Sequence, residues 1–181
     1  MGPTMVWLDL EMTGLNVDTC AIIELGIIIT GPDLVPKEEL NRVIWQPPEV
    51  LERMEPRVRQ LHTVNGLLER VKVSTVSLMD AQRDAVELVS RHARYREAVL
   101  CGNSIHVDRA FLSRHMPHLQ DFLHYRQVDV SSLKVLMKAW YPQTPEFEKP
   151  GKDHTTISDL RQSLGELAHY KKIFFRDTPA R

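Results

Sequence analysis

The chain has 181 residues, of which 43% are hydrophobic and 26% are charged, and its formal net charge at pH 7 is −1. We expect one domain over residues 1–181, with an ordered core at about 5–175, since a domain usually has about 100–200 residues. The 8 glycines and 11 prolines form no tract, which excludes collagen-like and low-complexity chains. The near-neutral charge argues against a protein that binds long nucleic acid through many phosphates, but it allows a short ligand in one small pocket.

Targeting signals and membrane spans are not expected. No apolar run approaches the ~20 residues of a membrane-spanning helix. The opening stretch MGPTMVWLDLEM lacks the basic segment of a signal peptide. Cys20 and Cys101 lie far apart in the sequence, which fits a reducing compartment better than a disulfide framework. We therefore expect a cytoplasmic protein with no membrane contact.

Three strands are predicted near the start of the chain. Residues 5–12, MVWLDLEM, alternate with period two, and residues 21–30, AIIELGIIIT, form an isoleucine-rich run that ends at a Gly-Pro-Asp turn. A third strand is predicted over residues 40–45. Together these segments indicate an antiparallel meander.

Helices and one further strand are predicted after the meander. Apolar spacing predicts a helix over residues 76–98, a buried strand over 99–102 and a helix over 108–116 that stops before a proline. Ser131 or Ser132 is predicted to cap the next helix.

The last helix is predicted to begin at Thr155 or Thr156, after a loop over residues 141–151. Its apolar stripe consists of Ile157, Leu160, Leu164, Leu167 and Ala168. Strands followed by alternating helices and strands predict a three-layer α/β fold with a mixed, partly antiparallel central sheet flanked by helices.

Asp9 and Glu11 are the first residues that indicate chemistry. Residues i and i+2 of a strand point to one face, so both carboxylates leave the first strand on the same side. Two close carboxylates repel each other and resist burial. A divalent cation that prefers oxygen ligands, Mg²⁺ or Mn²⁺, would remove the conflict. The alternative is a solvent-facing edge strand, which needs no metal.

Three later residues extend this acidic pattern. Asp108 lies near the start of a predicted helix, where the helix dipole alone also favours aspartate. His154 precedes the last helix and Asp159 lies in it, so both can face one cleft, and histidine suits a general base. The alternative for His154 is a histidine on a surface loop. The spacing is not specific, because His124 and Asp129 repeat it; only the complete ordered set is informative.

Four strings of the sequence together resemble the oligoribonucleases. They are WLDLEMTGL, CGNSIHVDRAFLSRHMP, HYRQVDVSSLK and the H-x4-D spacing, and the resemblance runs from about Met5 to Phe175. Oligoribonucleases are DEDD exonucleases of the subtype with a catalytic histidine. The resemblance implies an RNase H-like fold and 3′→5′ hydrolysis of very short RNAs, dinucleotides especially, to nucleoside 5′-monophosphates.

The resemblance also implies two divalent ions, Mg²⁺ or Mn²⁺, held by four carboxylates. Matched by motif, Asp9 would bridge both ions. Glu11 and Asp159 would complete the ion that activates water, and Asp108 would serve the second ion. His154 would accept the proton of the water.

Family members cap the 5′ phosphate of the substrate, which excludes longer strands. The matching positions are His62, Ser104, Arg126 and Ser131. An arginine offers a planar fork to phosphate oxygens, and hydroxyls add donors. From the residues alone, Ser131 is as well explained as a helix cap, and Arg126 as a surface arginine.

Two further positions match family residues that contact the bases. Leu15 matches a leucine that wedges between two bases, although core packing explains it as well. Tyr125 matches a tyrosine that family homodimers lend to the active site of the partner, so a homodimer is expected.

The sequence departs from the family pattern at two places. Arg57 stands where the family usually has a tryptophan, and Pro56 precedes it. One stacking surface is therefore lost or replaced by arginine stacking. The string HTTISD replaces the usual family string, but His154 and Asp159 keep their spacing. These departures affect the expected affinity and preferred length more than the chemistry.

Two alternatives remain open on the sequence. A DNA 3′→5′ exonuclease of the proofreading type would share the catalytic positions, but the cap residues argue against it because a proofreading enzyme must admit a long strand. A non-catalytic nucleotide-binding module predicts the loss of a metal ligand or of the base, and none is missing.

Overall fold

The computed structural model describes residues 2–144, 146–148 and 155–175. Within them, a five-stranded mixed sheet has the order β3-β2-β1-β4-β5. The strands are β1 (Met5–Met12), β2 (Ile22–Thr30), β3 (Pro36–Val43), β4 (Val99–Gly102) and β5 (Gln127–Asp129). The meander β1-β2-β3 is antiparallel, whereas β4 and β5 run parallel to β1. The predicted mixed sheet is therefore confirmed.

Helices connect and cover the strands. They are α1 (Pro48–Glu52), α2 (Pro56–Val64), α3 (Leu67–Val73), α4 (Leu78–His92), α5 (His106–His115), α6 (Pro117–Phe122), α7 (Val130–Trp140) and α8 (Thr156–Phe174). None of the helices in the described part of the chain is both long and apolar enough to cross a membrane.

The two faces of the sheet bury different sets of side chains, as the alternation in β1 predicts. Leu8 and Leu10 point into a core that includes residues of α4 and α5. Trp7 points to the opposite face, where Leu160 and Leu164 of α8 cover it. Residues of α7 also pack on this face, and the result is the predicted three layers, helices, sheet and helices.

Several predicted boundaries are wrong. The third strand covers 36–43 instead of 40–45, because it lies at an edge of the sheet and carries exposed polar residues that hide its pattern. The helix predicted over 76–98 ends at His92. Asp129, and neither Ser131 nor Ser132, caps α7. Ala168 of the predicted apolar stripe is exposed.

The start of α8 is fixed against the middle of the sheet. Gly26 of β2 is paired with Asp9 of β1 and with Asn41 of β3. Thr156, the first residue of α8, is buried on this glycine. Its Oγ1 accepts a hydrogen bond of 2.9 Å from Nδ2 of Asn41. As predicted, the helix begins here, with Thr155 as its N-cap.

Candidate active site

Three carboxylates converge where α8 crosses β1. Asp9, Glu11 and Asp159 each offer an oxygen, and these oxygens all lie within 4.8 Å of one another. Asp9 and Glu11 leave the same face of β1, and Asp159 comes from the first turn of α8. The structure therefore brings together three of the four predicted acidic residues.

Asp108 reaches the same stretch of β1 from the side. It lies in the first turn of α5 and is buried. Its Oδ1 accepts a hydrogen bond of 2.9 Å from the backbone N–H of Leu10, between the two acidic residues of the strand. The pairing of β1 with β4 extends only to Trp7, so this N–H lies beyond the ladder. The helix dipole alone therefore does not explain Asp108, because its side chain also binds the backbone of β1.

Burial disfavours ionisation of Asp9, Glu11 and Asp108, and the charges of neighbouring carboxylates add to this effect. Burial is the main cause that raises the pKa of Asp9 well above its usual value, followed by the charge of Asp108. Burial and the neighbouring carboxylates raise the pKa of Glu11 to about 8. Burial raises the pKa of Asp108 to about 7. A cation among these groups would remove the repulsion, so the residues present fit a divalent metal.

Glu24 belongs to the same region and was not identified from the sequence. It faces Glu11 across the β1–β2 ladder and is fully buried. Arg70 of α3 and Asn41 of β3 contact its Oε1 at 3.0 and 3.2 Å. Its charge is the second largest cause of the raised pKa of Glu11. The available signal was a single glutamate inside the apolar run AIIELGIIIT.

His62 is buried beside the acidic cluster. Its Nε2 lies 3.7 Å from Oε2 of Glu11 and 3.3 Å from the carbonyl oxygen of Met12. Its Nδ1 is buried without a hydrogen-bond partner in the described part of the chain. Burial lowers the pKa of His62. The structure therefore places the ring of His62 beside Glu11, with its side chain only 1% exposed.

The predicted catalytic histidine, His154, lies outside the described residues. The competing pair with the same spacing has other contacts. His124 accepts a hydrogen bond of 3.0 Å from the N–H of Arg126 through its Nδ1, and Asp129 caps α7. His124 and Asp129 thus serve the backbone.

Two of the predicted cap residues, Ser104 and Ser131, meet at the ends of β4 and β5. Their hydroxyl oxygens lie 3.2 Å apart. The N–H of Ser104 donates to Oγ of Ser131 at 3.0 Å and to Oδ1 of Asp129 at 2.9 Å. Ser104 has a φ of 51°, a conformation that is costly for a residue other than glycine and is held here by these bonds.

Tyr125 and Arg126 lie side by side in the segment between α6 and β5. Tyr125 is 73% exposed, and the guanidinium of Arg126 lies 5.4 Å from the centroid of its ring. Leu15 is 70% exposed, so the core-packing alternative for this residue is wrong. Arg57 is exposed on α2, the same helix that carries His62.

Comparison with known proteins agrees with this geometry. An exonuclease family model, RNase T, matches residues 6–167. The oligoribonuclease of Thiobacillus denitrificans is 42% identical over 178 residues, covering 97% of this chain and 98% of the relative. The oligoribonuclease of Pseudomonas aeruginosa is 42% identical over 173 residues, covering 95% and 96%. The chain belongs to the oligoribonuclease family of exonucleases.

Solved structures support the fold of this family member. E. coli exonuclease I, in a zinc-bound complex with single-stranded DNA, superposes with a TM-score of 0.75 at 12% identity. The exonuclease I of Methylocaldum szegediense gives a TM-score of 0.68 at 14% identity. The matches cover 97% and 95% of this chain, which spans only 42% and 41% of those longer chains. The predicted RNase H-like α/β fold is confirmed, and the protein is a nuclease.

Proposed function

We propose that this exonuclease removes nucleotides from the 3′ end of very short RNAs, dinucleotides especially, and releases nucleoside 5′-monophosphates. The observation that carries the proposal is the convergence of Asp9, Glu11 and Asp159 within 4.8 Å, in a chain of the oligoribonuclease family. The preference for short RNA rests on the cap residues and on family membership.

The four carboxylates would hold the metal. Asp9, Glu11 and Asp159 offer hard oxygen ligands at one point, and the carboxylate of Asp108 is bound to the backbone of β1 between Asp9 and Glu11. Two bound divalent ions, Mg²⁺ or Mn²⁺, would activate a water molecule and stabilise the leaving 3′ oxygen.

Other groups of the protein would orient the metal ligands and accept the proton of the attacking water. The hydrogen bond from the N–H of Leu10 fixes the carboxylate of Asp108. His154 is the proposed proton acceptor for the attacking water, because it matches the catalytic histidine of the oligoribonucleases and histidine titrates near neutral pH.

A cap on the 5′ end would select short substrates. Ser104 and Ser131 present two adjacent hydroxyls at the ends of β4 and β5, and Arg126 is exposed nearby in sequence. These groups would bind the terminal phosphate of a dinucleotide and exclude a further nucleotide. His62, buried beside Glu11, is the fourth proposed contact.

Exposed apolar side chains would bind the bases and a second copy of the chain. Leu15 is proposed as the wedge between two bases. Tyr125 is proposed to reach the active site of a partner, where an aromatic ring stacks on any base. Val135 and Trp140 of α7 are 66% and 63% exposed, apolar surface that a homodimer would cover. We place the homodimer in the cytoplasm.

Hydrolysis of a 5′-phosphorylated ribodinucleotide tests the proposal. With Mg²⁺ or Mn²⁺ the protein should release two mononucleotides, and EDTA should stop the reaction. Asp9→Asn should be inactive, whereas Asp18→Asn changes an exposed aspartate away from the cluster and should keep full activity. Faster cleavage of the matching deoxyribodinucleotide, or turnover by Asp9→Asn equal to that of the unmodified chain, would contradict the proposal.

A further inference from the structure

One arginine holds the whole segment that carries Tyr125 and Arg126. The guanidinium of Arg109 donates to three consecutive backbone carbonyls. Nη2 contacts the oxygens of His124 and Arg126 at 3.1 and 3.3 Å, and Nη1 contacts the oxygen of Tyr125 at 3.3 Å. Three successive carbonyls that converge on one group require the backbone to curl around it.

This arrangement determines which way the segment presents its side chains. The carbonyls of residues 124–126 are directed inward to Arg109, and the side chains of Tyr125 and Arg126 are exposed. The segment is held at its base, where the N–H of His124 donates to the carbonyl of Ala98 at 2.8 Å. The side chain of Arg109 links the three carbonyls of residues 124–126 to α5.

The position of Arg109 connects this segment to the acidic cluster. It follows Asp108 directly in α5, and Asp108 contacts β1 between Asp9 and Glu11. Two adjacent residues of one helix therefore contact the acidic strand and the exposed segment. The distance between the acidic cluster, where the 3′ end would react, and the segment that would bind the 5′ end therefore depends on the position of α5.

The chemistry of Arg109 fits such a role. Burial lowers its pKa, but an arginine remains charged in proteins. Its Nε is buried and has no hydrogen-bond partner in the described part of the chain. A partly buried cation is costly unless polar groups compensate it, and here the carbonyls of the segment provide the compensation. A lysine would keep the charge but not the planar fork that spans three carbonyls.

We propose that Arg109 is a positioning residue for recognition of the substrate 5′ end. It holds the segment 124–126 in the position in which Arg126 contacts the terminal phosphate and Tyr125 reaches the active site of the partner subunit. This inference rests on the proposed function, because it assumes that Arg126 contacts the phosphate.

The test compares two ribodinucleotides, one with a 5′ phosphate and one with a 5′ hydroxyl, in Mg²⁺ buffer. Arg109→Lys should lower the ratio of their kcat/KM values roughly tenfold, because a displacement of a positioning group by about 1 Å costs up to about 100-fold. The loss should appear in KM for the phosphorylated substrate, with kcat on the hydroxyl substrate retained. Arg114→Lys is the matched control, since Arg114 lies on the same helix, is exposed and contacts Asp18 at 3.5 Å.

Arg126→Ala separates failure of this inference from failure of the proposed function. If Arg126→Ala leaves the ratio unchanged, the proposed phosphate contact of Arg126 is refuted, and the role of Arg109 with it. If Arg126→Ala lowers the ratio and Arg109→Lys lowers only the thermal midpoint, or both rates equally, Arg109 is a structural residue and the inference alone is refuted. Should Arg109→Lys not fold, Arg109→Gln, whose amide donates to two carbonyls, gives the same comparison.

Discussion

Gly26→Ala should damage the active site although it adds a single methyl group. A Cβ at this position would lie 2.6 Å from both Cβ and Oγ1 of Thr156 and 3.3 Å from the backbone carbon of Thr156. Ordinary contacts between such atoms are about 3.5–4.0 Å. The start of α8 must therefore move away from the sheet by about 1 Å, the difference between these separations.

The magnitude follows from what α8 carries. Overpacking of a buried site costs typically about 1–3 kcal/mol. Asp159 lies three residues after Thr156, one helical turn away, and moves with it. A catalytic group displaced by about 1 Å can cost about 100-fold in rate. We expect kcat on a ribodinucleotide to fall roughly 10- to 100-fold, with weaker Mn²⁺ binding.

Steady-state kinetics and calorimetric titration with Mn²⁺ measure the two effects. Gly31→Ala is the matched control, because a Cβ there meets only the ends of the Asp33 and Lys37 side chains, at 3.1 and 3.4 Å. Thr156→Val keeps the shape but removes the acceptor for Asn41, and so measures the hydrogen bond separately. Unchanged kcat and Mn²⁺ affinity in Gly26→Ala would refute the claim that this glycine sets the distance between the start of α8 and the sheet.

Three further predictions concern the acidic cluster and the cap. Asp9→Ala should abolish turnover and raise the thermal midpoint of the metal-free protein, because it removes one of several repelling buried carboxylates. The pKa of Glu11 is raised from 4.5 to about 8, so the metal-free protein should lose stability as the pH rises between these values. Mn²⁺ should then raise the midpoint more at pH 8 than at pH 5.5. Ser131→Ala should raise KM for a 5′-phosphorylated dinucleotide roughly tenfold with kcat nearly unchanged.

Each of these three predictions can be contradicted by a specific result. A lower midpoint in metal-free Asp9→Ala would mean that the carboxylate stabilises the fold, and calorimetry without metal would show it. Metal-free stability that rises with pH would contradict the sign of the Glu11 shift. An equal loss of kcat on phosphorylated and hydroxyl dinucleotides in Ser131→Ala would indicate that the serine only supports the strained backbone of Ser104.

The parts of the fold that have a clear local pattern were predictable. β1 and β4 have the bounds that their apolar patterns predict, and β2 begins one residue later. The edge strand β3 carries polar residues, and β5 has only three residues, too few to form a pattern. The short helices between residues 48 and 73 each contain little more than one or two turns, so periodicity could not identify them.

The acidic set was predictable because its members stand in a motif, whereas their partners do not. Asp9 and Glu11 share one face by strand periodicity alone. Glu24 and Arg109 depend on contacts between distant segments: one faces Glu11 across a ladder, and the other binds carbonyls of residues 124–126. Backbone carbonyls leave no trace in a sequence, so a role of this kind becomes visible only in the structure.

The central claim is that this exonuclease selects very short RNA, and a length series tests it most directly. RNAs of two, three, five, seven and twenty nucleotides, labelled at the 5′ end, are incubated with the protein and Mg²⁺, with an EDTA control and a DNA dinucleotide. Selection of short RNA predicts fast cleavage of the RNA dinucleotide, a steep fall in rate with length and slow cleavage of the twenty-nucleotide RNA. Equal rates at all lengths, or preference for DNA, would contradict it and indicate an open site of the proofreading type.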